Sequence, residues 1–208
     1  MDKFAAGPHY GPVLTTTDLY LLGCELALHP ILTHSFGAFH LILNLASGHA
    51  GGYNPANKDQ DLELVHGNEP ATIPRVQELH IICRLTPWHT HVRNQTGVTL
   101  GDVCAALGKQ YSEAFITDAE LDTLPSRTRD QIKRAAQNAQ QIYGGAGGWG
   151  GAGMYYGSPS PGGSGSRLPR SAWLRDRIFF DGLEKDEDAA TKQIGFKASN
   201  VFCMMVTS

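Results

Sequence analysis

The 208-residue chain has little net charge, few cysteines and no long apolar run, and each shortage excludes something. Its 17 Lys and Arg stand against 20 Asp and Glu, a formal charge of −3 with histidine neutral. No global field therefore draws it to nucleic acid or to anionic lipid. No apolar run approaches the roughly 18 residues that span a bilayer, and the opening MDKFAAGPHYGPVL lacks the apolar centre of a secretory signal. The four cysteines, Cys24, Cys83, Cys104 and Cys203, are scattered, without a CxxC pair or zinc-knuckle spacing. They are expected as free thiols in an intracellular protein, cytoplasmic or nuclear, where the sequon at Asn94-Gln95-Thr96 has no consequence. No GxSxG elbow, Walker loop or HExxH occurs, and no cofactor is implied.

What is present reads as one domain of ordinary size, with 41% hydrophobic residues to fill a core. Residues 1–24 look like an irregular N-terminal segment, followed by a single α+β domain over 25–206. Phe39, Leu41, Leu43 and Leu45 alternate with smaller or polar neighbours at strand period. The glycine-bearing polar stretch 48–70 reads as a long loop. ELHIICRL, residues 78–85, is the next strand, with Leu79, Ile81, Cys83 and Leu85 on one face. Thr99 with Asp102, and Thr117 with Glu120, spell capping boxes. Leu100, Val103, Cys104, Leu107 and Tyr111 then form one apolar helical stripe, on which Cys104 reads as core and Asp102 as a cap. Pro125 should break the second helix, and Ile132, Ala135, Ala136, Ala139 and Tyr143 mark a third.

Eleven of the 24 glycines fall in residues 144–166, expected to be a flexible low-complexity loop inserted in the domain. Gly148, Gly150 and Gly153 formally spell GxGxxG there, but a helix precedes them and a Pro/Ser-rich stretch follows, so the dinucleotide reading is set aside. RIFFDGL reads as a strand ending in an Asp181-Gly182 turn, EKDED as a solvated loop, and NVFCMMV as a final strand. The pattern implies a mostly antiparallel sheet packed with two to three helices.

One stretch carries candidate chemistry. If residues 78–93 form a hairpin turning at Thr86-Pro87, Ile81 faces Val92 and Cys83 faces Thr90 on an apolar side. The other side then gathers His80, Arg84, His89, His91 and Arg93, with no carboxylate among them. Histidines one residue apart suit metal ligation, but two fixed positive charges oppose a divalent cation. That face is the candidate binding surface, for an anion or an acidic partner, against the plainer alternative of a solvated sheet face.

His29-Pro30, Ala71 to Pro74, Leu79 to Pro87-Trp88, Val98 to Val103, and Arg177 to Phe180 with Gly182-Leu183 come in a recognisable order. In them the chain resembles an uncharacterised domain family of unknown function, widespread in mushroom-forming fungi, over roughly residues 25–206. The resemblance implies one α+β domain and supplies no activity, cofactor or catalytic residue. His89 and His91 stand where it leads one to expect aliphatic or small polar residues, and 144–166 looks like an insertion. The expected function is a non-enzymatic binding or protein-interaction module, its partner an unidentified protein or a small anion, with no nucleic acid and no membrane. The rival is a hydrolase-type enzyme using His80, His89 and His91, with or without metal.

Overall fold

The computed structural model describes Phe4, residues 10–143 (backbone alone for 139–143) and residues 167–208; the glycine-rich segment 144–166 lies outside the described residues. The N-terminal stretch is not wholly irregular as expected. Thr15 and Asp18 form a capping box that opens α1, Thr16–Leu22, and Gly23 closes it at φ 58°. Leu14 and Leu19 join the main core.

The strands follow as β1 Ala27–Leu28, β2 His40–Asn44, β3 His49–Asn54, β4 Asn57–Glu63, β5 Thr72–Ile73, β6 Glu78–Ile82 and β7 His89–Arg93. After the helices come β8 Phe179–Glu184 and β9 Val201–Thr207. Seven of them make an open sheet in the order β4-β3-β2-β8-β9-β6-β7, while β1 pairs with β5. Only the β6–β9 pairing in that sheet is parallel, so the fold is α+β with a mostly antiparallel sheet, as expected.

The stretch read as a loop over 48–70 is largely the β3–β4 hairpin. Its strands hide from pattern reading because β4 is an edge strand whose residues are exposed apart from Leu62. In β3, glycine is a requirement: a Cβ on Gly52 would sit 2.2 Å from the His40 carbonyl oxygen and 2.5 Å from the Phe39 ring. The Asp181-Gly182 pair likewise does not end β8. It makes an irregularity against β9 between Phe180 and Leu183, with Gly182 at φ +107°, and Leu183 N–H donates to the Leu32 carbonyl at 2.8 Å.

The helices are α2 Leu100–Gly108, α3 Asp118–Asp122, α4 Ser126–Tyr143, α5 Ser171–Leu174 and α6 Glu187–Ile194, more than the two to three expected. Both capping boxes read from the sequence are present, at Thr99/Asp102 and Thr117/Glu120. The stripe Leu100, Val103, Cys104, Leu107 and Tyr111 is buried throughout, Tyr111 lying in a π-helical turn that continues α2. The acidic run EKDED is not a loop: it closes β8 and opens α6, with Asp186 capping the helix and Glu187 and Asp188 in its first turn.

The main core is built on the Leu79, Ile81 and Val92 side of the sheet. A smaller cluster of Ile82, Ala190, Val201 and Cys203 lies where α6 packs on the other side. Among the described residues, no helix is long and apolar enough to cross a membrane.

Candidate functional site

The β6–β7 hairpin fixes the site. Its register pairs Glu78 with Arg93, Leu79 with Val92, His80 with His91, Ile81 with Thr90 and Ile82 with His89. The faces are those expected, but the pairing is offset by two residues, because residues 83–88 form a wide loop in place of a turn at Thr86-Pro87. That loop is pinned from three directions. The Gln193 amide donates to the Thr86 and Trp88 carbonyls, Trp173 Nε1 donates to the Leu85 carbonyl, and the Thr86 hydroxyl meets Tyr111 at 3.0 Å. Trp88 is buried, as its apolar size demands, with Nε1 donating to Glu120 and the Arg170 guanidinium 4.4 Å above its ring.

The offset register changes the membership of the outer face. Arg84 leaves it: its Nε donates to Asp186 at 2.6 Å and it pairs with Glu184 at 3.0 Å, anchoring the start of α6. Glu78 enters, so the expectation of a face without a carboxylate is corrected. Glu78 shares the His80 side of β6 by parity, but a turn centred on Thr86-Pro87 would put His80 opposite Arg93 and leave Glu78 without a partner on β7.

His80 and His91 stack, ring centroids 4.4 Å apart and planes 17° off parallel. The His89 ring lies 6.0 Å from that of His80, on an exposed residue. Phe196 closes the His80 ring from its edge at 5.9 Å. Glu78 Oε2 lies 3.3 Å from His91 Nε2, and Glu78 Oε1 forms an ion pair with Arg93 Nε at 3.0 Å. The same Arg93 Nε lies 3.2 Å from His91 Nε2. One ligand atom each from Glu78, His80 and His91 lies within 4.8 Å of the others, the one such trio among the described residues. Burial, then the neighbouring His91 and His89, hold the His80 imidazole below its ordinary range, against the pull of Glu78. His80 Nδ1 is buried without a hydrogen-bond partner, a position that costs free energy.

Two further histidine groups escaped the sequence reading, because each is completed by a residue distant along the chain, Glu69 for His29 and Asp181 for His34. Buried His29 accepts from the Ile31 N–H through Nδ1 and meets Glu69 through Nε2 at 2.9 Å, while His66 takes the other Glu69 oxygen at 2.8 Å. His34 packs against His40 at 4.3 Å, with Asp181 3.7 Å away. Lys185, whose amine burial pulls down to about 8, places its Nζ on the Ala198, Ser199 and Val201 carbonyls and 4.1 Å from the Phe202 ring. The four cysteines carry free thiols, and burial pushes Cys83 and Cys203 up and Cys104 up to about 12.

The fold and the site together define a single α+β domain with a polar, histidine-bearing edge hairpin. A family model described as a family of unknown function (DUF6699) matches residues 45–190, more than half of the chain, and the chain belongs to that family. The match is narrower at both ends than the resemblance over 25–206, and it includes the whole β6–β7 hairpin. No curated protein and no solved structure matches the chain.

Proposed function

We propose that this domain is a non-enzymatic binding module and that its ligand surface is the outer face of the β6–β7 hairpin. The observation that carries the reading is the convergence of Glu78, His80 and His91 on a rigid, partly exposed edge of the sheet. Such groups, held on strands and not on a loop, are pre-organised for a ligand. The groups that meet His91 are a carboxylate and a guanidinium, which orient and bind, and the buried thiols are raised away from nucleophilic use. Because Arg84 has left the face and Glu78 has joined it, the fixed charges of Glu78 and Arg93 balance. Attraction for a simple anion is therefore weaker than the sequence alone suggested. Free thiols fit a reducing compartment, cytoplasm or nucleus.

A thermal-shift panel on the full chain tests this, with zinc chloride, inorganic phosphate and an acidic peptide as separate arms at pH 7.5. At least one should raise the midpoint by on the order of 5 °C at saturating concentration, and the His89→Ala/His91→Ala double variant should lose that rise. No response in any arm, or a rise that survives in the double variant, refutes the reading.

A further inference from the structure

We infer that the ligand of this face is a divalent transition-metal ion of zinc's chemistry, held by Glu78, His80 and His91. The inference rests on the reading of the hairpin face as the ligand surface and names what that surface takes. Two imidazoles and one carboxylate form a donor set of borderline hardness, suited to zinc and poor for magnesium or calcium. They come from one hairpin: Glu78 and His80 project from the same side of β6, and His91 from the position opposite His80 on β7. The backbone ladder thus places the three residues side by side before any metal arrives.

One edge of the trio already has the spacing of a metal polyhedron, and His80 lies within 4.8 Å of both its ends. A tetrahedral ion with bonds of about 2.05 Å keeps its ligand atoms about 3.3 Å apart, and Glu78 Oε2 and His91 Nε2 are 3.3 Å apart. The electron pairs also point to a cation. With Arg93 Nε donating to His91 Nε2, that nitrogen bears no proton and is an electron-pair donor, and Glu78 Oε2, which accepts from the Thr16 hydroxyl at 3.5 Å, is a second donor atom 3.3 Å away. The Arg93 guanidinium donates to His91 and ion-pairs with Glu78, while the buried His80 Nδ1 has no hydrogen-bond partner. The other carboxylate–histidine group with short contacts differs, since each Glu69 oxygen there meets its own histidine.

Arg93 is the internal competitor. Its side chain is 69% exposed, so it can swing into solvent when a divalent ion enters, and the His80 ring must turn out of its stack with His91 to complete the set. Three protein ligands leave a fourth position for water or for a donor from a partner molecule.

The test is calorimetric titration of zinc chloride into the full chain stripped with chelator, with cobalt chloride as a spectroscopic arm. The wild-type chain should take one ion, and bound cobalt should show visible d–d bands. Glu78→Gln, His80→Ala and His91→Ala should each weaken binding by about 100-fold. Circular dichroism and metal-free melting establish that each variant is folded, and Glu78→Gln, which preserves side-chain volume, keeps the test decisive if a histidine variant is not. Arg93→Ala should tighten binding by about tenfold, because a competing positive charge is gone, and His66→Ala should leave it unchanged. Zinc binding that persists in Glu78→Gln and His91→Ala, or weakens in Arg93→Ala, overturns the assignment. No zinc binding beside a phosphate or acidic-peptide response that needs His91 overturns the metal and leaves the surface standing. No response of any kind at this face overturns both.

Discussion

At the scale of single residues, the alternation along β7 separates core from surface. Trp88 and Val92 are buried, His89 is exposed, and these sides were legible in the sequence because side-chain parity along a strand does not depend on which residue it pairs with. Trp88→Ala should therefore cost on the order of 3–5 kcal/mol, through lost packing and the loss of one of the Glu120 hydrogen bonds. His89→Ala should stay within about 0.5 kcal/mol. Urea denaturation of the two variants checks the contrast; similar losses for both would show the faces to be misassigned. His34 gives a pH prediction away from the ligand surface. Burial, then His40, hold its imidazole below the ordinary range, and Asp181 opposes them. The unfolded chain binds that proton more readily than the folded one, so stability is full above about pH 6.5 and is lost as pH falls through the lower folded value. His34→Asn, chosen because asparagine tolerates the positive φ of 53° at this position, should reduce the stability lost between about pH 7 and 5. Stability measured against pH should keep a residual slope in the variant, because His80 shifts the same way. A slope equal to that of the wild-type chain would contradict this account of His34.

At the scale of elements, what could be read depended on whether an element buries one clean face. β2 and α2 do, and Leu41, Leu43, Val103 and Leu107 announce them. The α1 helix follows the same capping rule as α2, and Thr15, Asp18 and Gly23 carried the signal although the surrounding glycines and prolines masked it. β4 buries almost nothing, so no periodicity could reveal it, and β3 is legible only once Phe39 is known to lie over Gly52. That contact yields an element-scale prediction. Gly52→Ala forces a methyl group onto the His40 carbonyl and the Phe39 ring, so it should destabilise the domain by roughly 3 kcal/mol. Slower amide exchange in the β2–β3 ladder of the variant than in the wild-type chain would be the opposite result. α6 was hidden differently: an acidic run looks solvated in isolation, yet the same charges suit a helix N-terminus and an Arg84 anchor.

At the scale of the whole molecule, the edge position of the β6–β7 hairpin matters as much as its residues. One side of it carries Leu79, Ile81 and Val92 into the main core, and α6 covers Ile82 at one end of the other side. What remains open is the patch of Glu78, His80, His89, His91 and Arg93. His89 and His91 were legible as neighbours from parity, and His80 joined them once a hairpin was assumed. Parity also puts Glu78 on the His80 side, but its meeting with His91 and Arg93 was not legible, because strand register depends on a loop held by Gln193, Trp173 and Tyr111, all distant in sequence. The most direct measurement of the central claim is a long-range proton–nitrogen NMR spectrum of the histidine rings in the full chain, titrated in turn with zinc, inorganic phosphate and an acidic peptide. The rings of His80 and His91 should shift with at least one of them, zinc foremost, while those of His29, His34 and His66 stay in place. Unmoved His80 and His91 rings across all three titrations, or shifts confined to the other histidines, would contradict the claim that this hairpin is the ligand surface.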